Sequence, residues 1–122
     1  MAETRTSLDL LQYQWENRLL LIFAPTHQND AYQQQLTYLL DHDAGLTDRD
    51  LIVFHLFHNE PSRVGDDTIT PDAVAKLRAE MQVRAEAFSL LLVGKDGTVK
   101  RRSDEPVPTG DLFAQIDGMP MR

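Results

Sequence analysis

The chain has 122 residues, 42% hydrophobic and 25% charged, a balance that fits one globular domain and excludes a disordered segment. Its formal net charge is −7, so nucleic acid or an anionic bilayer meets a repulsive average field, and neither a nucleic-acid partner nor membrane insertion is expected. It contains no cysteine, which removes disulfides, thiolate catalysis, iron–sulfur clusters and thiolate zinc sites together.

The start, "MAETRTSLDLL", has no apolar core behind a basic stretch, so it does not read as a signal peptide. The expected compartment is the cytoplasm, or the periplasm or exterior if a leader was removed. From Leu8 to Trp15 apolar residues recur without a clean period, and residues 1–17 are expected to lie over the core. Leu19–Phe23 is apolar at every position and reads as a central parallel strand buried on both faces. After the linker Ala24–Gln28, Asn29 or Asp30 opens a helix. Its Tyr32, Leu36, Leu39 and Leu40 share one face, and Gly45 follows its end.

Asp50–His58 is a second strand, rich in branched and aromatic residues. Asn59–Ile69 is polar, holds Pro61 and Gly65, and is expected as a loop. Thr70-Pro71-Asp72 writes a helix start three ways: a hydroxyl cap, proline at the first turn and an acid beside it. Val74, Leu77 and Met81 continue that helix. A third strand, Phe88–Val93, meets Lys95-Asp96-Gly97 and then Thr98–Arg102, the pattern of a tight hairpin. Pro106 and Pro108 break the chain, and Thr109 is expected to cap a last helix with Leu112, Phe113 and Ile116 on one face. Residues 118–122 form a tail. The first two strands need a right-handed crossover and therefore lie parallel. The order strand, helix, strand, helix, hairpin, helix predicts one α/β domain over 1–122. Its architecture is a thioredoxin-like three-layer sandwich: a mixed four-stranded sheet with helices on both faces.

The segments "LDLLQYQWENRLLLIFAP", "YQQQL", "AGLTDRDLIVF", "LLVGKDGTVKRR" and "LFAQIDGMPMR" also resemble a known family, from Leu8 to Arg122. It is a domain of unknown function, number four-one-seven-four, also called P-DUDES. The motifs that carry the resemblance are Trp15-x-x-Arg18, the Lys95-Asp96-Gly97 turn and the Met-Pro-Met-Arg ending. It implies a fold akin to peroxiredoxins and thioredoxins, in small, often exported bacterial proteins and in animal sushi-repeat and matrix-associated proteins. The chain departs from active thioredoxin-like enzymes where a thiol would stand. Pro25, Thr26, His27, Gln28 and Asn29 occupy the loop after the first strand. Glu86-Ala87-Phe88 stands where thioredoxins carry a cis-proline. Neither thiol–disulfide exchange nor cysteine peroxidase activity is expected.

Thr26 and His27 would form a nucleophile–base pair only if they aimed at each other, and no third group in the sequence identifies itself as orienting the imidazole. The ordinary reading is a polar loop with a helix cap. Anion binding near Thr26, His27, Asn29 and Asp30 is preferred there to catalysis. His55 and His58 invite a metal reading with Glu60, Asp66 or Asp67, but residues three apart on a strand face opposite ways, so no metal is expected. His42 reads as an interaction at the C-terminus of the first helix. Arg18, Asp48, Arg49 and Asp50 precede the first two strands and read as structural ion pairs. Lys95, Lys100, Arg101 and Arg102 read as a charged edge or a small basic contact face. Met119, Met121 and Arg122 would extend that face if the tail folds back. The expectation is a noncatalytic module without cofactor that binds a protein or small ligand. Its rival is a cysteine-independent enzyme acting at Thr26–Asp30.

Overall fold

The computed structural model describes residues 2–119. In chain order come β1 (Thr4–Arg5), a 3-10 turn (Leu10–Tyr13), β2 (Arg18–Ala24), α1 (Asp30–Leu39) and α2 (Asp43–Asp48). Then follow β3 (Leu51–Phe57), β4 (Ser62–Val64), β5 (Asp67–Ile69), α3 (Pro71–Glu80), β6 (Ser89–Val93), β7 (Val99–Ser103) and α4 (Thr109–Asp117). The strands form one mixed sheet in the order β1-β5-β4-β3-β2-β6-β7. β2 runs parallel to β3 and antiparallel to β6, with Leu21 opposite Phe54 on one side and Leu91 on the other.

All seven residues of β2 are buried, because successive side chains enter two different cores. Leu19, Leu21 and Phe23 pack with Val74 and Leu77 of α3, together with Leu8, Leu10 and Tyr13 of the N-terminal segment. Leu20, Ile22 and Ala24 pack with Tyr32 and Leu39 of α1 and with Leu112 and Ile116 of α4. Each fully buried leucine or isoleucine contributes about 1.5–3 kcal/mol, so this strand is the main apolar anchor of both layers. The helices therefore cover both faces, as expected.

The strand count is seven where four were expected. The stretch Asn59–Ile69, expected as a loop, contains the hairpin β4–β5, in which Gly65 takes φ 57° at the turn. β1 pairs with β5 and closes that edge, helped by an Arg5–Asp67 ion pair at 2.9 Å. The polar sequence misled because an edge hairpin buries only alternate residues, here Ser62, Val64 and Ile69. Ser62 Oγ also accepts the Phe57 amide at 2.7 Å, so its polarity serves the strand end.

Helix boundaries differ from expectation in three places. Asp41 takes φ 67° and turns the chain after α1, whereas Gly45 lies inside α2. Leu40 is consequently 68% exposed rather than on the apolar face. His42 stands at the start of α2 with its ring edge-on to Phe113, centroids 5.8 Å apart, so it is not a terminal cap for α1. Thr109 is the first residue of α4, not its cap; the chain enters at Pro108, and the buried Thr109 hydroxyl donates to the Tyr38 carbonyl. Phe113 leaves the Leu112–Ile116 face and lies against Gly45, where an added Cβ would sit 2.6 Å from its ring. The remaining signals hold. Asn29 caps α1 through the Tyr32 amide, Thr70 caps α3 through the Ala73 amide, and Gly97 takes φ 85° in the β6–β7 turn.

Candidate functional site

The carboxyl ends of β2 and β3 meet the start of α1, where ligands gather in open α/β sheets. The β2–β3 pairing runs on beyond the strands, with the His58 amide donating to Ala24 O at 3.2 Å and the Asn59 amide to Pro25 O at 2.9 Å. This holds the loop Pro25–Asn29 against the loop that carries Glu60. Thr26 Oγ1 accepts the Gln28 amide at 3.2 Å, and Asn29 Oδ1 accepts the Tyr32 amide at 3.0 Å. His27 is tied more closely: the Glu60 carboxylate takes both its backbone N–H and its Nδ1, the latter at 2.8 and 2.9 Å. The orienting group that the sequence did not reveal is thus Glu60. Burial raises the Glu60 pKa, but the His27 backbone and imidazole contacts outweigh it and hold the carboxyl below its ordinary value. Thr26 and His27 are not brought together, and Asp30 occupies the first turn of α1.

Behind the loop lies a second polar pair. Tyr32 Oη and His55 Nδ1 share a hydrogen bond of 2.8 Å, with Arg63 opposite His55 in the β3–β4 register. Burial, with a smaller push from Arg63, lowers the His55 pKa to about 4, so the imidazole is neutral at neutral pH. Burial raises the Tyr32 pKa, against the lowering influence of Arg63. His58 stands apart, its Nε2 3.8 Å from Glu86. The two histidines therefore face different surroundings, and no cluster among the described residues gathers three metal-binding side chains.

At the opposite end of β2 and β3 the expected ion pairs are redistributed. Arg18 is 1% exposed and its Nη1 donates to the Arg49 carbonyl at 2.9 Å. Asp50 pairs with Lys95 of the β6–β7 turn at 2.8 Å, and this contact holds its carboxyl below the ordinary value. Arg49 grips Asp117 of α4 through Nε and Nη2, at 3.1 and 3.0 Å, while stacking 3.9 Å above the Phe113 ring. Asp48 borders the same corner and has no ion pair among the described residues. The partners lie on α4 and the hairpin because the corner is where those elements cross, a fact that local spacing does not encode.

The hairpin's basic side chains do not form one free face. Lys100 pairs with Asp96 at 2.8 Å, and this bond leads the lowering of the Asp96 pKa to about 2. Arg101 donates to Gln115 Oε1 at 3.1 Å on the α4 side. Arg102 donates to the Met81 and Gln82 carbonyls at 2.5 and 2.6 Å, at the end of α3 on the other layer. A register shift at Leu92/Val93 accompanies this division. What gathers at the hairpin is a groove of about 360 Å³ lined by Gly94, Lys95, Lys100, Gln115, Gly118 and Met119. Met119 also packs on the α1–α4 core. Met121 and Arg122, expected to extend this surface, lie outside the described residues.

The chain matches the family described as "Domain of unknown function (DUF4174)" over residues 9–122. It belongs to the DUF4174 family. Curated relatives include human "Sushi repeat-containing protein SRPX", 34% identical over 97% of this chain and 26% of that protein. Another is "Coiled-coil domain-containing protein 80" of Danio rerio, 32% identical over 93% of this chain and 15% of that protein. The DUF4174 chain thus spans about a quarter or less of the curated relatives it matches. Among solved structures it is similar to a reduced 2-Cys peroxiredoxin of Plasmodium vivax, with TM-score 0.64 and 13% identity over 90% of this chain and 81% of that one. The mitochondrial 2-Cys peroxiredoxin of Plasmodium falciparum gives 0.61 and 15%, over 90% and 79%. These likenesses establish the thioredoxin-like fold. The cysteines in those enzymes' names have no counterpart here, since the DUF4174 chain contains none. No helix among the described residues is long and apolar enough to cross a membrane.

Proposed function

We propose that this DUF4174 domain is a noncatalytic interaction module that binds a protein or small ligand. The observation that carries this reading is the fate of the β2–α1 junction. It has no thiol, and its polar side chains are engaged in holding the loop: Thr26 on the Gln28 amide, Asn29 on the Tyr32 amide and His27 on Glu60. The hairpin groove offers a different kind of surface, a part-apolar concavity bounded by Met119 and the stem of Lys100, suited to a side chain from a partner.

The rival reading rests on the same His27–Glu60 contact, since a carboxylate that orients an imidazole is the arrangement a general base requires. The two separate in one set of assays on purified, metal-free protein: insulin reduction, peroxide consumption, p-nitrophenyl acetate hydrolysis and an NMR fragment screen. The binding module shows no turnover, and fragment-induced shifts gather on Gly94–Lys100 and Gln115–Met119. Hydrolysis that disappears in His27→Ala would replace it with the enzyme reading.

A further inference from the structure

Arg78, on α3, is 7% exposed, yet its Nε and Nη2 have no hydrogen-bond partner among the described residues. Burial lowers its pKa, but a guanidinium starts so far above neutrality that it stays charged. Its Cζ lies 5.8 Å from the Phe23 ring centroid, near the carboxyl end of β2. Phe23 shields one side and supplies no acceptor. The acid whose charge acts on Arg78 is Glu86, but that residue is exposed and its carboxylate is 3.8 Å from His58 instead.

The two unpartnered atoms have a specific meaning. Nε and Nη2 form the side-on edge of the guanidinium, whose parallel N–H bonds match the two oxygens of one carboxylate. The same protein shows that match completed: Arg49 uses these two atoms on Asp117 at 3.1 and 3.0 Å. A buried charge with this edge unsatisfied is costly, and the cost is recovered when an anion of the right shape arrives.

We propose that Arg78 is the receptor of a carboxylate-binding site at the carboxyl end of β2. The ligand is a small molecule or peptide bearing a free carboxylate, seated on the Nε–Nη2 edge. The concavity of about 410 Å³ lined by Arg84, Ala85, Glu86 and Ala87 does not itself reach Arg78, so the anion gains the Nε–Nη2 edge by displacing that segment. Those residues belong to no strand or helix, so the segment yields without breaking a sheet ladder. Arg84 adds positive charge to the approach, and Glu86 competes with the incoming anion for Arg78. This site is separate from the hairpin groove, and its failure would leave the proposed function untouched.

The test is an NMR titration of the full chain with sodium acetate, ionic strength held constant with sodium chloride, observing the Arg78 Nε–Hε resonance. Triglycine and triglycine amide, as two further probes, separate a peptide terminus from a free acid. The site predicts a saturable downfield shift of Arg78 Hε with acetate, and at least threefold tighter binding in Glu86→Gln. It also predicts loss of the accompanying amide shifts over Ala79–Phe88 in Arg78→Lys. If triglycine shifts the resonance and its amide does not, a peptide C-terminus is among the carboxylates accepted. An Hε resonance that moves no more with acetate than with chloride would overturn the proposal and leave Arg78 a hydrated structural cation. That resonance is read in the wild-type protein, so the result stands even if Arg78→Lys fails to fold.

Discussion

The buried His55 makes a quantitative pH dependence for stability. Its imidazole is 8% exposed, shares a hydrogen bond with Tyr32 from α1, and faces the positive charge of Arg63 from β4. The folded-state pKa of about 4 lies below the ordinary histidine value of 6.5, so the unfolded chain takes up the proton first. Stability is therefore complete only well above pH 6.5 and falls as pH drops through 6.5 toward 4. A separation of this size corresponds to about 3 kcal/mol once both states are protonated, of which about 2 kcal/mol is lost by pH 5. The carboxyls of Asp50, Glu60, Asp67 and Asp96 are all held below their ordinary values, so their contributions fade only at lower pH. The window from pH 6.5 to 5 consequently reports on histidine. Urea unfolding at half-unit steps, compared with His55→Gln, isolates this residue, because glutamine keeps a partner for the Tyr32 hydroxyl and does not titrate. The His55 Cε1–H resonance should stay at its neutral position down to pH 5. Parallel slopes for wild type and His55→Gln over that window, or a His55 midpoint near 6.5, would refute the reasoning.

The other predictions concern backbone and packing. Gly97→Val places a β-branched residue at φ 85° and should cost about 1–3 kcal/mol in urea unfolding; an unchanged midpoint would show that the turn tolerates the strain. Gly45→Ala drives a Cβ to within 2.6 and 2.8 Å of the Phe113 ring, so the ring or the α2–α4 packing must shift. It should lower stability by about 1–3 kcal/mol, as overpacking does, and shift the Arg49 side-chain resonances. Thr70→Ala removes the acceptor for the Ala73 amide and should lower stability by about 1 kcal/mol, read by the same unfolding assay. Deleting Met119–Arg122 should lower the melting temperature, because full burial of a methionine is worth about 1.5–3 kcal/mol and Met119 is partly buried on the α1–α4 core.

The sequence alone was sufficient for the features whose causes are local. Leu19–Phe23 reads as a central strand because burial on both faces demands an apolar residue at every step. Thr70-Pro71 and Asp96-Gly97 announce a helix start and a turn because their own backbone preferences create them. The absence of cysteine excludes thiol chemistry from this chain whatever its geometry. The β4–β5 hairpin was not legible, since its polar residues are strand-forming only against β3 and β1. Nor was the His27–Glu60 contact, which joins residues 33 apart, or the Asp50–Lys95 pair, 45 apart. Arg78 shows the limit most sharply. In the sequence it is one more cation of a helix that also carries Lys76. Only the packing of α3 over Phe23 buries its Nε–Nη2 edge away from any acceptor among the described residues. Local preferences act through a few neighbouring bonds, whereas burial and charge pairing depend on which distant segments the sheet and helices bring together.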